Sequence, residues 1–207
     1  MGDDYAKLAG LSSEEDLNES TTSSIKKRIP WLFLLLALGM FVSSVVGIFE
    51  HVVDIVSVSV CFQSLILDMA GNVGTQSLAV TIRVLMDENL TGKEKRHLVF
   101  KEAKVGLFNG LILAGISIII IGCYVHFLKG YDTHFSIIFA VCAAIALICA
   151  MVISSLVGTT IPMILHSINV DPAVASGPLI TTINDLVAVI CYYGLIWLLV
   201  IDLFHLV

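Results

Sequence analysis

Leu67-Asp68-Met69-Ala70-Gly71-Asn72-Val73-Gly74-Thr75-Gln76-Ser77 is a polar run inside a long apolar stretch, with residues 55–66 on one side and 78–85 on the other. A hydrocarbon interior penalises carboxylates, amides and hydroxyls, so such groups at membrane depth mark a functional position. A second carboxylate, Asp185, stands in the last apolar stretch. If these stretches cross a bilayer, two isolated acids at depth point to a route for a cation.

The composition supports crossing. Hydrophobic residues make up 57% of the 207, against about 45–50% in a soluble domain. The net charge of −6 is carried by the N-terminal head, where Asp3, Asp4, Glu14, Glu15, Asp16 and Glu19 cluster. No stripe of Lys and Arg interleaved with aromatics is present, which argues against nucleic acid as a partner. The five cysteines all fall in apolar runs, and none forms a CxxC pair. They read as small hydrophobic side chains rather than as a redox or metal set. No cleavable leader is expected, because the first apolar run begins near Pro30 and is too long for one.

Runs of about 18 or more apolar residues can cross as helices. Five qualify: residues 30–49, 55–85, 105–127, 135–165 and 178–201. Short breaks at 50–54, 129–134 and 166–177 separate them, and Pro178 is read as the start of the last helix. The expectation is an all-α membrane protein with five transmembrane helices per subunit. Of the 11 Lys and Arg, all but Lys129 lie at 7–28 or 83–104. Positive charge stays on the cytosolic side. The N-terminus is therefore expected in the cytosol and the C-terminus outside. Residues 1–28 form a cytosolic segment, and 29–207 the five-helix transmembrane domain. In that segment Glu14-Glu15-Asp16 early and Lys26-Lys27-Arg28 late would suit a helix dipole at both ends; a flexible tail through Ser20–Ser24 is the alternative.

On a helix, residues three and four apart share a face. Asp68, Gly71, Asn72, Thr75 and Ala79 then form one stripe, with Gln76 at its margin. Thr181 and Asp185 form a second pair, four residues apart. Oxygen donors alone favour hard cations such as Mg²⁺, Ca²⁺ or Na⁺. Mg²⁺ sheds water reluctantly, so one or two carboxylates among neutral oxygens suit it. The small residues have a competing reading as helix packing, since Gly71 and Thr75 have small-xxx-small spacing. The six histidines lie at or near the ends of the runs, which does not fit a haem or quinone anchor. Ser154, Ser155, Thr159 and Thr160 lack a partner base at depth, so no enzyme is expected.

The chain resembles the transmembrane domain of the MgtE magnesium channel family over nearly all of residues 29–201. The resemblance rests on Gly39-Met40-Phe41-Val42-Ser43-Ser44 through Phe49-Glu50, on Gly71-Asn72-Val73-Gly74-Thr75-Gln76-Ser77 with Ile82-Arg83, on Lys101-Glu102, on Asp171-Pro172-Ala173, and on residues 181–185 with Tyr192. It implies a homodimer in a bacterial inner membrane, with an ion pore between subunits lined by the second and fifth helices. Asp185 would be the acid that binds hydrated Mg²⁺, with Gly71, Thr75 and Thr181 on the same wall. Asp68 stands where a small residue is usual, which would add a second acidic ring. Family members carry cytosolic domains that sense Mg²⁺, joined through a plug helix. Only residues 5–27, marked by Leu8-Ala9-Gly10, match the end of that helix, so those regulatory domains are expected to be absent from this chain. A Mg²⁺ channel is the primary reading, with metal ligands drawn from Asp185, Asp68, Gly71, Asn72, Thr75 and Thr181. A carrier is the alternative, or a membrane anchor that transports nothing.

Overall fold

The computed structural model describes residues 19–87 and 90–205, and within these the side chains of 87 and 172–178 are left out of account. The described residues are mostly helical, with short turns between helices and no strand. They form α1 (Thr21–Ile48), a short α2 (Glu50–Ile55), a 3-10 turn (Ser57–Ser59), α3 (Val60–Asp87), α4 (Gly92–Cys123), α5 (Thr133–Ser167) and α6 (Pro172–Leu195). α4 and α6 end in π-helical turns, Tyr124–Leu128 and Ile196–Leu203. Four of the described helices are long and apolar enough to cross a membrane: α1, α4 with its π turn, α5, and the part of α6 from Leu179 to Leu203. α3 is as long as α1 at 28 residues, but its polar run lowers its hydropathy. Backbone groups in lipid must be satisfied within the segment, and uninterrupted helix does this.

Several boundaries move from where composition sets them. α1 begins at Thr21, nine residues before Pro30, because Ser20 caps it and accepts a bond from the Ser23 amide. The Ser/Thr-rich stretch is therefore a helix start rather than a tail, and Lys26-Lys27-Arg28 lie in its first turns. Glu19 accepts from the Ser23 hydroxyl at 2.6 Å and pairs with Lys27 at 2.7 Å; these donors hold its carboxyl below the usual range. Glu14, Glu15, Asp16 and the Leu8-Ala9-Gly10 marker lie outside the described residues.

The expected break at 50–54 is helical as α2. The break at 166–177 shrinks to four residues, 168–171, between α5 and α6. Asn169 adopts a left-handed conformation with φ 58°, and the Val170 and Asn169 amides bond back to the Leu165 and His166 carbonyls. This is a Schellman closure, with Asn in the place usually taken by Gly. α6 then starts at Pro172, six residues before Pro178. Proline fits a first helical position because its missing amide proton would have no partner there, and Asp171-Pro172 satisfies that rule better than Gly177-Pro178.

α5 is the central helix, packing on α3, α4 and α6. Seventeen of its residues are buried, whereas α1 buries none. α1 rests chiefly against α6. The main core joins Ile66, Ala70 and Val73 of α3 to Phe139, Leu147 and Met151 of α5 and to Ala188, Val189, Tyr192 and Tyr193 of α6. The Tyr192 hydroxyl donates to the Ser59 carbonyl and the Tyr193 hydroxyl to Gln63 Oε1, both at 2.7 Å. α4 opens with a reciprocal capping box, in which Thr91 and Glu94 bond each other's amides. Asp132 caps α5 by accepting from the His134 amide at 2.8 Å.

That amide is the main reason the Asp132 carboxyl sits below its ordinary range. A lowered value means the cap stabilises the fold above the unfolded pKa and fades as pH falls through the folded one. Thermal midpoints of Asp132→Ala should therefore lie below wild type at neutral pH and converge with it in strong acid. Asp132→Asn should keep the cap at both pH values, since Asn caps without titrating.

Candidate functional site

The buried face of α3 carries Ile66, Ala70, Val73, Gly74, Ser77 and Thr81. Its opposite face carries Asp68, Asn72, Thr75, Gln76 and Ala79, all exposed on the single chain, with Gly71 at the margin. The predicted polar stripe is thus turned away from the protomer core. Asp68 makes no hydrogen bond or ion pair among the described residues. Thr75 donates back to the Gly71 carbonyl at 2.8 Å, which satisfies its proton and leaves hydroxyl lone pairs facing outward.

α6 runs antiparallel to α3 along the whole site. Tyr193 meets Gln63, Asn184 meets Gly74, and Ile180 packs with Leu78 and Ile82. This register puts Asp185 level with Val73 and Gly74, and Thr181 about one turn further along, near the level of Ser77. Asn72, Thr75 and Asp185 therefore share one depth. Asp68 stands about five residues nearer the start of α3, or roughly 8 Å at ~1.5 Å per residue. Asp185 is half-buried and Thr181 exposed. Asp185, like Asp68, has no hydrogen-bond or ionic partner among the described residues.

Two glycines set how closely these helices approach. A Cβ on Gly74 would run into the Asn184 side-chain amide, and one on Gly158 would run into the Gly74 carbonyl. Gly71, in contrast, has open space where its Cβ would stand. The small residue that packs is thus Gly74, and Gly71 is free of that role within the protomer. On the other side of α5, a Cβ on Gly106 would lie 2.8 Å from Ser155 Cβ, and one on Gly110 3.2 Å from Ile148 Cα.

Sequence reasoning missed the polar clamp beside these contacts. Glu102 is only 5% exposed. It accepts from the Ser77 hydroxyl at 3.1 Å, and the Ser155 hydroxyl, 2.9 Å from Ser77 Oγ, lies 2.7 Å from the Glu102 carbonyl oxygen. The clamp ties α3, α4 and α5 together next to the polar stripe. Its signal was present in the spacing: Leu98, Glu102, Gly106, Gly110, Ala114, Ser117 and Ile121 are the buried residues of α4, recurring every three or four positions. A carboxylate in that series faces inward. Asn184 was also missed as a packing residue. It is fully buried, and neither amide atom has a bonding partner among the described residues. Ser154 Oγ is equally buried and unbonded, while Thr159 and Thr160 bond back to carbonyls of their own helix.

Among the described residues no three His, Cys, Asp or Glu side chains come together. One chain thus presents Asp68 and Asp185 singly, along a face of neutral oxygens. Such a surface offers oxygen ligands to a hard cation and leaves much of its hydration in place.

Fold and site together define a multi-pass membrane protein with a polar helix face suited to a hydrated cation. The sequence profile of the MgtE family, described as a divalent cation transporter, matches residues 63–195. The chain is 36% identical over 192 residues to the magnesium transporter MgtE of Enterococcus faecalis, covering 93% of this chain and 40% of that protein. It is 36% identical over 197 residues to the magnesium transporter MgtE of Bacillus subtilis, covering 93% and 41%. It is 31% identical over 172 residues to the namesake from Thermus thermophilus, covering 83% and 36%. The chain belongs to the MgtE family of divalent cation transporters. It spans about two fifths of the length of these curated relatives.

Alanine substitutions separate packing from pathway. Gly74→Ala and Gly158→Ala should each destabilise the protomer by about 1–3 kcal/mol through overpacking, read as a lower thermal midpoint in detergent. Gly71→Ala should leave that midpoint unchanged. Glu102→Ala should cost about 1–3 kcal/mol by removing the buried carboxylate that accepts the Ser77 hydroxyl, with Glu102→Gln recovering most of it.

Proposed function

We propose that the chain conducts largely hydrated Mg²⁺ through a pore at the interface of two copies, in a bacterial inner membrane. The observation that carries this reading is the outward-facing stripe of α3, level with Asp185 and unpaired within the protomer. A lone carboxylate facing lipid would be expensive. A second copy related by two-fold symmetry covers one stripe with another and doubles every acid. Four carboxylates then line one corridor in two rings, the Asp185 pair deeper along α3 and the Asp68 pair about one and a half turns away. Asn72, Thr75 and Thr181 supply neutral oxygens between and beside them, and Gly71 leaves open space on the same wall.

The division of labour follows from charge and spacing. Mg²⁺ keeps several waters, so the Asp185 carboxylates hold it through water and few direct bonds. Asp68 draws the ion to the mouth of the corridor. Five crossings complete the topology, with α3 as the fifth despite its polar run, the N-terminus cytosolic and the C-terminus outside; the basic α3–α4 turn then lies in the cytosol. The relatives' printed name, magnesium transporter, agrees with the ion chosen here.

Flux into proteoliposomes tests the proposal. Wild type should pass Mg²⁺, and Asp185→Ala should abolish flux while leaving the oligomer intact by size-exclusion chromatography. Full flux in Asp185→Ala would remove that residue from the mechanism, and absence of flux in wild type would favour the anchor. Asp68→Gly should alter competition among Mg²⁺, Ca²⁺ and Mn²⁺; an unchanged competition series would place its side chain away from the ion. Single-channel conductance steps distinguish a channel from a carrier, which gives none.

A further inference from the structure

The first four turns of α4 carry Lys93, Lys95, Arg96, Lys101 and Lys104, together with His97. The same stretch holds two acids, and both are committed elsewhere. Glu94 closes the capping box with Thr91, and Glu102 points into the core toward Ser77. None of the five cations has an acidic partner among the described residues. Lys101 and Lys104 are exposed, and with His97 and Asn109 they line a shallow groove whose apolar wall is Phe100, Val105 and Phe108. Those three apolar side chains are themselves exposed, Phe100 at 63% and Phe108 at 61%. The groove follows one face of α4, with its cationic and apolar side chains arranged along three helical turns.

We propose that this groove binds the headgroup of an anionic phospholipid in the leaflet adjoining the α3–α4 turn. Lys101 and Lys104 contact the phosphodiester, and Phe100, Val105 and Phe108 lie along the upper acyl chain. Charge complementarity selects the occupant. Five cations with no ion-pair partner among the described residues, beside a membrane-crossing helix, attract anionic lipid, while long Lys stems lie on apolar surface and present their ammonium groups at the interface. A soluble anion would have no use for the aromatic wall, and a neutral lipid none for the lysines. The inference needs the chain to span a membrane; it does not depend on which ion is carried.

Native mass spectrometry of the full chain, exchanged into equimolar phosphatidylglycerol and phosphatidylcholine with matched acyl chains, tests it. Wild type should retain phosphatidylglycerol several-fold over phosphatidylcholine. The double variant Lys101→Gln with Lys104→Gln should lose that preference, Lys101→Arg with Lys104→Arg should keep it, and Lys129→Gln, at the far end of the helix, should not change it. Helicity and oligomeric state of each variant are checked first, and both altered side chains are exposed. Equal retention of the two lipids by wild type, preference surviving in the glutamine variant, or displacement of the lipid by inorganic phosphate would each overturn the proposal. Mg²⁺ flux recorded on the same samples reports on the ion pathway separately, since loss of flux with lipid preference intact counts only against the transport reading.

Discussion

The close approach of three helices around Gly74 is the constraint on which the rest of the structure depends. In lipid there is no hydrophobic gain from helix association, so contact, hydrogen bonds and small residues must supply it. Gly158 offers no side chain where the Gly74 carbonyl arrives, and Gly74 offers none where the Asn184 amide arrives. α3 is thereby seated against α5 and α6 at the middle of its length. The same seating fixes which side of α3 faces away. Rotating α3 to bury Asp68 or Asn72 would drive Ile66, Ala70 and Val73 out of the core.

The all-helical, membrane-spanning class was legible because apolar length is a strong, additive signal. The boundaries were less so, and each miss has a local chemical reason. Residues 20–24 leave helix and flexible tail both open, because Ser/Thr clusters are also common in linkers, and the Ser20 hydroxyl decides for the helix by accepting the Ser23 amide. Pro178 was taken as a helix start ahead of Pro172. The correct choice follows from pairing Asp171-Pro172 with the Asn169 turn just before it.

At the site, the identity and periodicity of the polar residues were visible in sequence, and the direction they face was not. Gly71 and Gly74 look alike in sequence, and only the packed structure shows that one meets a neighbour and the other meets open space. Glu102 was recorded as a marker and not as a clamp because its partners, Ser77 and Ser155, lie 25 and 53 residues away. The period of α4 turns its carboxylate inward, but contacts at such separations leave no local spacing that names the partners. The opposite case is the α3 stripe, whose residues fall within three turns of one helix and obey the helical period directly.

The anchoring of α3 at three heights has a mechanical consequence. One end is fastened by the tyrosine hydroxyls on Gln63 and on Ser59 just before the helix, the middle by the glycine contacts and the Ser77–Glu102 bond one turn on, and the other end by Leu85 packed with Leu98 and Met163. A rod fastened at three points neither spins nor slides without breaking several fastenings together. The polar wall it presents is therefore stiff on the scale of side-chain motion, and the width of any passage along it is governed by whatever body lies opposite.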